Sequence, residues 1–551
     1  MNEQYITSSR AMEGEVTLRT PPFWPAQVSP ASGDRPLPRY SVQRLFGWAF
    51  FVPCLLLSLV SCRLFSQDTS TRLPDIVLIV ADDMGQEIGC YGDTIARTPH
   101  LDQFAWDNLR FVNAYVTQAS CSPSRSSILT GLYPHQNGQT GLSHRGISMD
   151  RAFPNVASYL KERGYRTGIL GKLHVAPQSA FPFDYKMGGF DYTSSGLSGY
   201  GVSDREVEVL TTEQEVLEQR VTFSQRVDLM ADSAAAFMER SGDQPFFLMA
   251  NFLDPHTPWF NQVGEYPGEP FDTTEVQQLP YFGTPVRKTS LAGYYNGCAR
   301  MDAGFDILIR QLKAAGRYDN TLIIFIGDHG APLPRAKTTV YEAGLRIPML
   351  IKYPGQQHAQ EDTHFVSTID LLPTILQEVG IEIPSHLPGR PLQVLQADST
   401  ADWRTSIQGE FTQHVPTHLF PQRSITTEQY KLIISPFAPL YRALVPRNFD
   451  DQRGYIPGDD RGNAQRRYRR YANQAEVELY FLPTDPHEFE NLAEFPEYQT
   501  IRKELVEQLH QWQERTEDPL LSDSAYVAIQ QEVEVLVESH FNDDTQPRNT
   551  N

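Results

Sequence analysis

An α/β fold is predicted: a large sheet buried between helices, followed toward the C-terminus by a smaller antiparallel sheet with one covering helix. Three observations predict it. Four short apolar runs, Ile76-Val77-Leu78-Ile79-Val80, Thr167-Gly168-Ile169-Leu170, Phe246-Phe247-Leu248-Met249 and Leu322-Ile323-Ile324-Phe325-Ile326, read as strands covered on both faces. Segments of helical periodicity fall between those runs, as a wound sheet requires. Beyond the proline-rich stretch around Pro384, Pro388 and Pro391, shorter strand-like segments precede one amphipathic helix.

Taken in order, residues 1–62 form an N-terminal extension and leader. Arg39 and Arg44 precede the apolar run Leu45 to Cys62, which fits the charged and apolar parts of an export signal, while Pro53 and the short length count against a spanning helix. Leu59-Val60-Ser61-Cys62 resembles a bacterial lipobox, so Cys62 is a candidate lipid anchor and the expected location is exported, periplasmic or membrane-tethered. A plain signal peptide or a single anchor is the alternative reading. Residues 63–73 are read as a linker, 74–392 as a catalytic domain, 393–522 as a C-terminal subdomain and 523–551 as an acidic tail.

Within the body, a helix is expected from Thr98 as N-cap through Leu101, Phe104, Ala105 and Leu109. Further helices are expected over 154–163, closed by Gly164, over 291–315, closed by Gly316, and over 370–379. The charged stretch from Val202 to Gln225 reads as a surface excursion. Strands are expected over 405–411, 423–427 and 430–435, and a terminal helix carries Ile501, Leu505, Leu509 and Trp512 on one face. Arg461, Arg466, Arg467, Arg469 and Arg470 form one dense basic run, either a solvated face or a contact for a sulfated chain.

Apolar residues make up 40% of the chain and charged residues 21%, which excludes general disorder and allows a sizeable core. The net charge is −20, which argues against nucleic acid as a partner and means that any polyanionic ligand must be drawn by a local basic pocket. Cys90 and Cys298, outside the leader and the motif below, are read as buried thiols, since one pair is no disulfide framework.

The chemistry concentrates where the apolar runs end. They lead into Asp82-Asp83, Lys172 and His174, Asp254 and His256, and Asp328-His329, and in open α/β sheets ligands bind beyond the carboxyl ends of such strands. Cys121-Ser122-Pro123-Ser124-Arg125 stands at the start of a helix-like run, where amide groups and a guanidinium can hold an anion. A small buried cysteine in a turn is the bland reading of that motif alone. With Thr98-Pro99-His100-Leu101-Asp102, Gly171-Lys172-Leu173-His174 and Gly327-Asp328-His329-Gly330, the chain from about 75 to 518 resembles the formylglycine-dependent sulfatases, with their alkaline-phosphatase-like large mixed sheet flanked by helices. Within them it is most similar to the heparan N-sulfatase (sulfamidase) branch, through His135-Gln136-Asn137-Gly138, Tyr165 to Ile169, Pro245 to Leu248, Glu478-Leu479-Tyr480 and Asp485-Pro486-His487-Glu488.

That resemblance implies a sulfuric ester hydrolase or sulfamidase acting on a sulfated saccharide. It implies conversion of Cys121 by a formylglycine-generating maturation enzyme to an aldehyde whose hydrate attacks sulfur with one hydroxyl and expels sulfate through the other. It implies Asp82, Asp83, Cys121, Asp328 and His329 around one Ca²⁺, His329 being a departure from an all-oxygen set. Arg125 would steady the hydrate, Lys172 and Lys337 hold the sulfuryl oxygens, His174 take the hydrate proton and His256 protonate the leaving group. Lys337 stands where sulfamidase has Arg, and Lys lacks the planar fork. A phosphomonoesterase or phosphonate hydrolase of the same superfamily, and a non-catalytic carbohydrate-binding relative, are the competing readings.

Overall fold

The computed structural model describes residues 72–188, 223–282, 286–356, 358–398, 400–445 and 464–541. The leader with Cys54 and Cys62, and nearly all of the excursion from Val202, lie outside them.

Eight strands form the main sheet: β1 Asp75–Asp82, β2 Leu109–Tyr115, β3 Arg166–Gly171, β4 Tyr185–Met187, β5 Phe246–Pro255, β6 Thr321–Gly327, β7 Arg346–Lys352 and β8 Gln360–Ser367. Their order is β4-β3-β5-β1-β6-β7-β2-β8. All run in one direction except β7, which pairs antiparallel with both β6 and β2, so the sheet is mixed. The four predicted runs are β1, β3, β5 and β6, the contiguous centre. Every residue of β1, β5 and β6 is buried, which is why they read as unbroken apolar runs.

Side-chain alternation splits β1 between two cores. Ile76, Leu78 and Val80 face a cluster that includes Leu160 and Leu372, from the helices α3 (Val156–Glu162) and α6 (Leu371–Glu378). Val77, Ile79 and Ala81 face one that includes Phe104, Phe237 and Phe305, from α1 (Pro99–Asp107), α4 (Val227–Ser241) and α5 (Lys288–Ala314). The helix α2 (Cys121–Thr130) follows β2.

The first helix starts where expected, after Thr98, but is capped differently and ends earlier. Thr98 occupies the N-cap position, but its hydroxyl accepts from the Gly89 amide at 3.0 Å rather than capping the helix. Asp302 of α5 takes that role, accepting from His100 N at 3.1 Å and Leu101 N at 2.8 Å. Leu109 is not on the helix: the helix ends at Asp107, and Leu109 opens β2, an alternating strand that its neighbours on the sheet impose.

The second sheet contains β9 Ser406–Gln413, β10 Leu419–Thr427, β11 Tyr430–Ile434 and β12 Val477–Phe481, antiparallel in the order β12-β11-β10-β9. Ile425, Leu432 and Leu479 pack with Leu505, Leu509 and Trp512 of the covering helix Gln499–Thr516. Two further helices, α7 (Ala438–Leu444) and α8 (Ala464–Asn473), flank it, the latter carrying much of the basic run. The stretch read as an acidic tail is helical over Asp523–Phe541, held by buried Val533 and Val537. Among the described cysteines none is bridged; Cys298 is buried, whereas Cys90 is only partly so.

Candidate active site

Strand register brings the polar tips together. Ala81 of β1 lies opposite Phe252 of β5 and Gly327 of β6, and Gly171 of β3 lies opposite Asn251. Asp82, Asp83, Lys172, His256, Asp328 and His329 therefore leave the sheet within one turn of chain at the same edge. Two glycines allow the approach. A Cβ on Gly171, whose φ is +75°, would lie 2.1 Å from the Asn251 carbonyl, and one on Gly330 would lie 1.8 Å from the Ala343 carbonyl. Asp83 and His174 hold φ of 67° and 55°, left-handed backbone that non-glycine residues adopt at a cost and that clusters at functional sites.

Cys121 is the first residue of α2, at the positive end of its dipole, and Arg125 lies one turn on along the same face. Cys121 Sγ is 3.3 Å from His329 Nε2 and 3.4 Å from Lys337 Nζ, with Asp83 Oδ1 at 4.0 Å. Arg125 is fully buried. It donates from Nε to Asp328 Oδ2 at 3.0 Å, and from Nη1 to the Lys172 carbonyl at 3.0 Å and Asn251 Oδ1 at 2.9 Å. Lys172 donates to Asp82 Oδ2, Lys337 to Asp83 Oδ1 at 2.6 Å, and the Asp83 amide to Asp328 Oδ1 at 2.8 Å.

Three carboxylates thus meet three fixed cations. Burial works against charge on Asp82 and Asp83, but Lys172, Lys337 and the neighbouring cations outweigh it and hold both below the usual carboxylate range. Burial likewise opposes charge on Lys172 and Lys337, and the aspartates more than offset it. Burial opposes protonation of His329 too, yet Asp328 and Cys121 lift it to about 9. A proton there stands where a metal cation would.

The donor set fits such a cation. One ligand atom each from Asp82, Asp83, Cys121 and His329 lie within 4.8 Å of one another, all buried. Asp82 Oδ1 and Asp83 Oδ2 are buried without a hydrogen-bond partner among the described residues, and oxygens left so need a counter-charge. Asp328 is outside this group of four. Its two oxygens are taken by Arg125 and the Asp83 amide, with Oδ1 3.8 Å from His329 Nε2.

Above this floor lies a cavity of about 520 Å³, lined by Asp83, Cys121, Lys172, His174, His256 and Lys337 among others. His256 Nδ1 donates to the Thr257 carbonyl, leaving Nε2 toward Asp83 Oδ2 at 3.7 Å. Burial pushes His256 down to about 4, only partly offset by Asp83 and Asp82. His174 is held well below its ordinary value by burial and then by Lys172 and His144. Its Nε2 is 2.8 Å from His144 Nδ1, and the two rings stack at 5.1 Å.

The ten residues to which the resemblance gives roles come together. The motif reading missed Asn251, which anchors Arg125, and His144, His414 and Arg145, which line the cavity wall; Arg467, in the same wall, belongs to the basic run read either as a solvated face or as a contact for a sulfated chain. Asn251 could have been found as the strand residue paired with Gly171, just before Lys172; His144, His414 and Arg145 carry no local signature. Asp254 is not in the site: Arg300 of α5 takes both its oxygens, at 2.7 and 2.9 Å. His135 is also elsewhere, its Nδ1 against Glu410 Oε2 and its Nε2 against the Thr516 carbonyl at 3.1 Å.

The sulfatase family model matches residues 74–381, and the model for the C-terminal part of N-sulphoglucosamine sulphohydrolase matches 328–442. The chain is 33% identical to human N-sulphoglucosamine sulphohydrolase over 506 residues, covering 84% of this chain and 93% of that protein. It is 24% identical to the N-acetylglucosamine-6-O-sulfatase of Bacteroides thetaiotaomicron, covering 85% and 91%. A solved structure in complex with its substrate D-glucosamine-2-N,6-O-disulfate superposes with a TM-score of 0.59 at 20% identity, over 82% of this chain and 99% of that one, a likeness of fold. A match over more than half the chain, on a site assembled from the ends of four neighbouring strands, makes this protein a member of the sulfatase family.

Proposed function

We propose that this sulfatase removes sulfate from the end of a sulfated sugar, with the N-sulfate of a glucosamine residue as its leading substrate. The observation that carries the reaction is the setting of Cys121: at a helix N-terminus, within 3.4 Å of His329 and Lys337, above buried carboxylates with oxygens that lack a hydrogen-bond partner among the described residues. The substrate rests on the likeness to the human N-sulphoglucosamine enzyme across nearly its whole length.

Cys121 Sγ stands in for the oxygen of the formylglycine that a maturation enzyme would install, and that group would supply a nucleophile able to leave again as an aldehyde. Asp82, Asp83, His329 and the modified residue would hold a divalent cation, with Asp328 fixing the Asp83 backbone beside it. The cation would polarise the sulfuryl oxygens and leave the floor net positive. Ca²⁺ suits the aspartate oxygens, whereas the His329 nitrogen suits a transition ion better, and metal analysis of active enzyme separates the two.

The remaining roles belong to the chain itself. Arg125, fixed by Asp328 and Asn251, braces the base of the nucleophile. Lys172 and Lys337 present ammonium groups to sulfuryl oxygens, each ammonium carrying three donors. His174, neutral through burial, takes a proton and His144 orients its ring. His256 delivers a proton from Nε2 to the departing amine or alcohol. Because burial keeps it neutral, that proton is gained as the substrate's negative charge enters.

The leader supports an exported protein, periplasmic or tethered by lipid at Cys62; fatty-acid labelling of wild type but not of Cys62→Ser tests the tether. The substrate is tested by assaying matured enzyme on N-sulfoglucosamine beside 6-O- and 2-O-sulfated sugars. Turnover of the N-sulfated sugar is expected. Turnover of an O-sulfated sugar with none of the N-sulfated one would remove the N-sulfate assignment.

A further inference from the structure

The cavity has a basic wall that bond cleavage does not use. The turn joining β9 to β10, with His414, Thr417 and His418, closes it together with α8, and Arg467 of that helix lines it, as does Arg145. Arg467 is only 6% exposed. Its Nη2 donates to Thr417 Oγ1 at 3.2 Å and reaches the Thr417 carbonyl at 3.5 Å. Its Nε is buried with no hydrogen-bond partner among the described residues. Leaving a guanidinium donor buried and unsatisfied is costly, so the position calls for an acceptor that arrives from outside.

Among the described residues lining the cavity, Asp83 is the sole acid, and it lies on the floor in the grip of Lys337. No side-chain carboxylate on the wall answers Arg467. In a chain of net charge −20, a cation set into the substrate cavity without a counter-ion among the described lining residues is a local exception to the overall field. A purely structural brace for the Thr417 turn would need Nη2 alone.

We propose that Arg467 recognises a second anionic group of the substrate, a sulfate or carboxylate carried beyond the sulfate that is cleaved. This rests on the sugar-sulfatase reading above and adds selectivity for multiply charged saccharides. A guanidinium fork suits either oxyanion, which it can grip through two parallel donors.

The test compares kcat/KM for glucosamine bearing one sulfate with that for glucosamine bearing both N- and 6-O-sulfates, and with a disaccharide in which a uronate supplies the second charge. The wild type is expected to prefer one of the two doubly charged substrates, which identifies sulfate or carboxylate as the second anion. Arg467→Gln is expected to cut that preference about tenfold, the scale of one charge-assisted hydrogen bond, while Arg467→Lys retains part of it. Equal loss on all substrates, as a brace would give, or an unchanged preference overturns the proposal. Calorimetric titration of the same sugars into the uncleaving Cys121→Ser protein, with and without Arg467→Gln, reads the same preference without turnover. Absence of cleavage would then count against the parent reading, and absence of an Arg467-dependent preference in binding against this one.

Discussion

Two buried charge clusters in this molecule use the same ingredients and end differently. At the sheet edge, Asp82, Asp83 and Asp328 meet Arg125, Lys172 and Lys337, yet Asp82 Oδ1 and Asp83 Oδ2 lack a hydrogen-bond partner among the described residues. Under the second sheet, Glu410 and Asp518 meet Arg423 and His135, and both carboxylates are satisfied. Asp518 takes Arg423 at 2.6 and 2.9 Å, Gln513 at 2.9 Å and the Leu520 amide at 3.1 Å; Glu410 takes the His135 ring and its amide. A closed cluster fixes structure. An open one has capacity left for a ligand, and the difference lies in the orphaned oxygens rather than in the charge count.

The comparison predicts that the first cluster carries chemistry and the second stability. The largest effect is expected at Cys121: Cys121→Ala should lower turnover by at least about 10³-fold, since no other group can take over the nucleophile. Its circular dichroism and melting should remain close to wild type; a comparable rate would break the account. Next comes the metal. Chelation, or Asp82→Asn, should cost roughly 10²-fold or more in kcat/KM. Restoring the ion to chelated protein at a hundred times its Kd should return about 2.7 kcal/mol of stability, read as a rise in Tm. Activity indifferent to chelators, in protein free of divalent ions, would contradict the open-site reading.

In the closed cluster the sign reverses. Asp518→Asn strands the Arg423 guanidinium and should cost about 3 kcal/mol of stability in denaturant unfolding, while kcat/KM of the folded enzyme changes less than about twofold. Burial works against the Asp518 charge, but Arg423 overcomes it and holds the carboxyl far below its ordinary value. A carboxylate depressed in the folded state stabilises above its unfolded pKa and loses that contribution as pH falls. The gap between wild type and Asp518→Asn should therefore be full at neutral pH and shrink below about pH 4. A gap that widened in acid would refute the pairing. The smallest effect is expected at Tyr341, whose hydroxyl donates to Glu478 at 2.9 Å: Tyr341→Phe should cost about 1 to 2 kcal/mol.

The open cluster was the more legible of the two in the sequence. β1, β5 and β6 are covered on both faces, so their runs of Ile, Val, Leu and Phe declare themselves, and the polar residues that end them had to emerge at one edge. Cys121 and Arg125 announce themselves by helical spacing. The wall was less legible: Arg467 stood out only as one member of a basic run, and His144 and His414 reach the cavity from separate loops whose local patterns are ordinary. Strands β2 and β12 were missed because cross-strand packing rather than periodicity makes them strands.

The closed cluster shows what a motif match can mean. His135-Gln136-Asn137-Gly138 carries the likeness to the N-sulfatase branch but not a substrate contact: His135 bolts Glu410 to Thr516, and Asn137 bonds Ser126 at 3.0 Å, steadying α2 from behind. Asp485 to Glu488 serves a similar end. Arg335 donates to the carbonyls of His487 and Glu488 at 3.0 and 2.6 Å, tying down the loop that presents Lys337. Matches to a relative mark what supports a site as readily as what touches a substrate.

The central claim is that Cys121, modified, is the nucleophile of a sulfatase. Peptide mass spectrometry across Cys121 in purified, sulfate-releasing enzyme tests it most directly. The account predicts a residue in which an aldehyde oxygen has replaced the thiol sulfur, and an intact Cys121 thiol throughout a fully active preparation would contradict it.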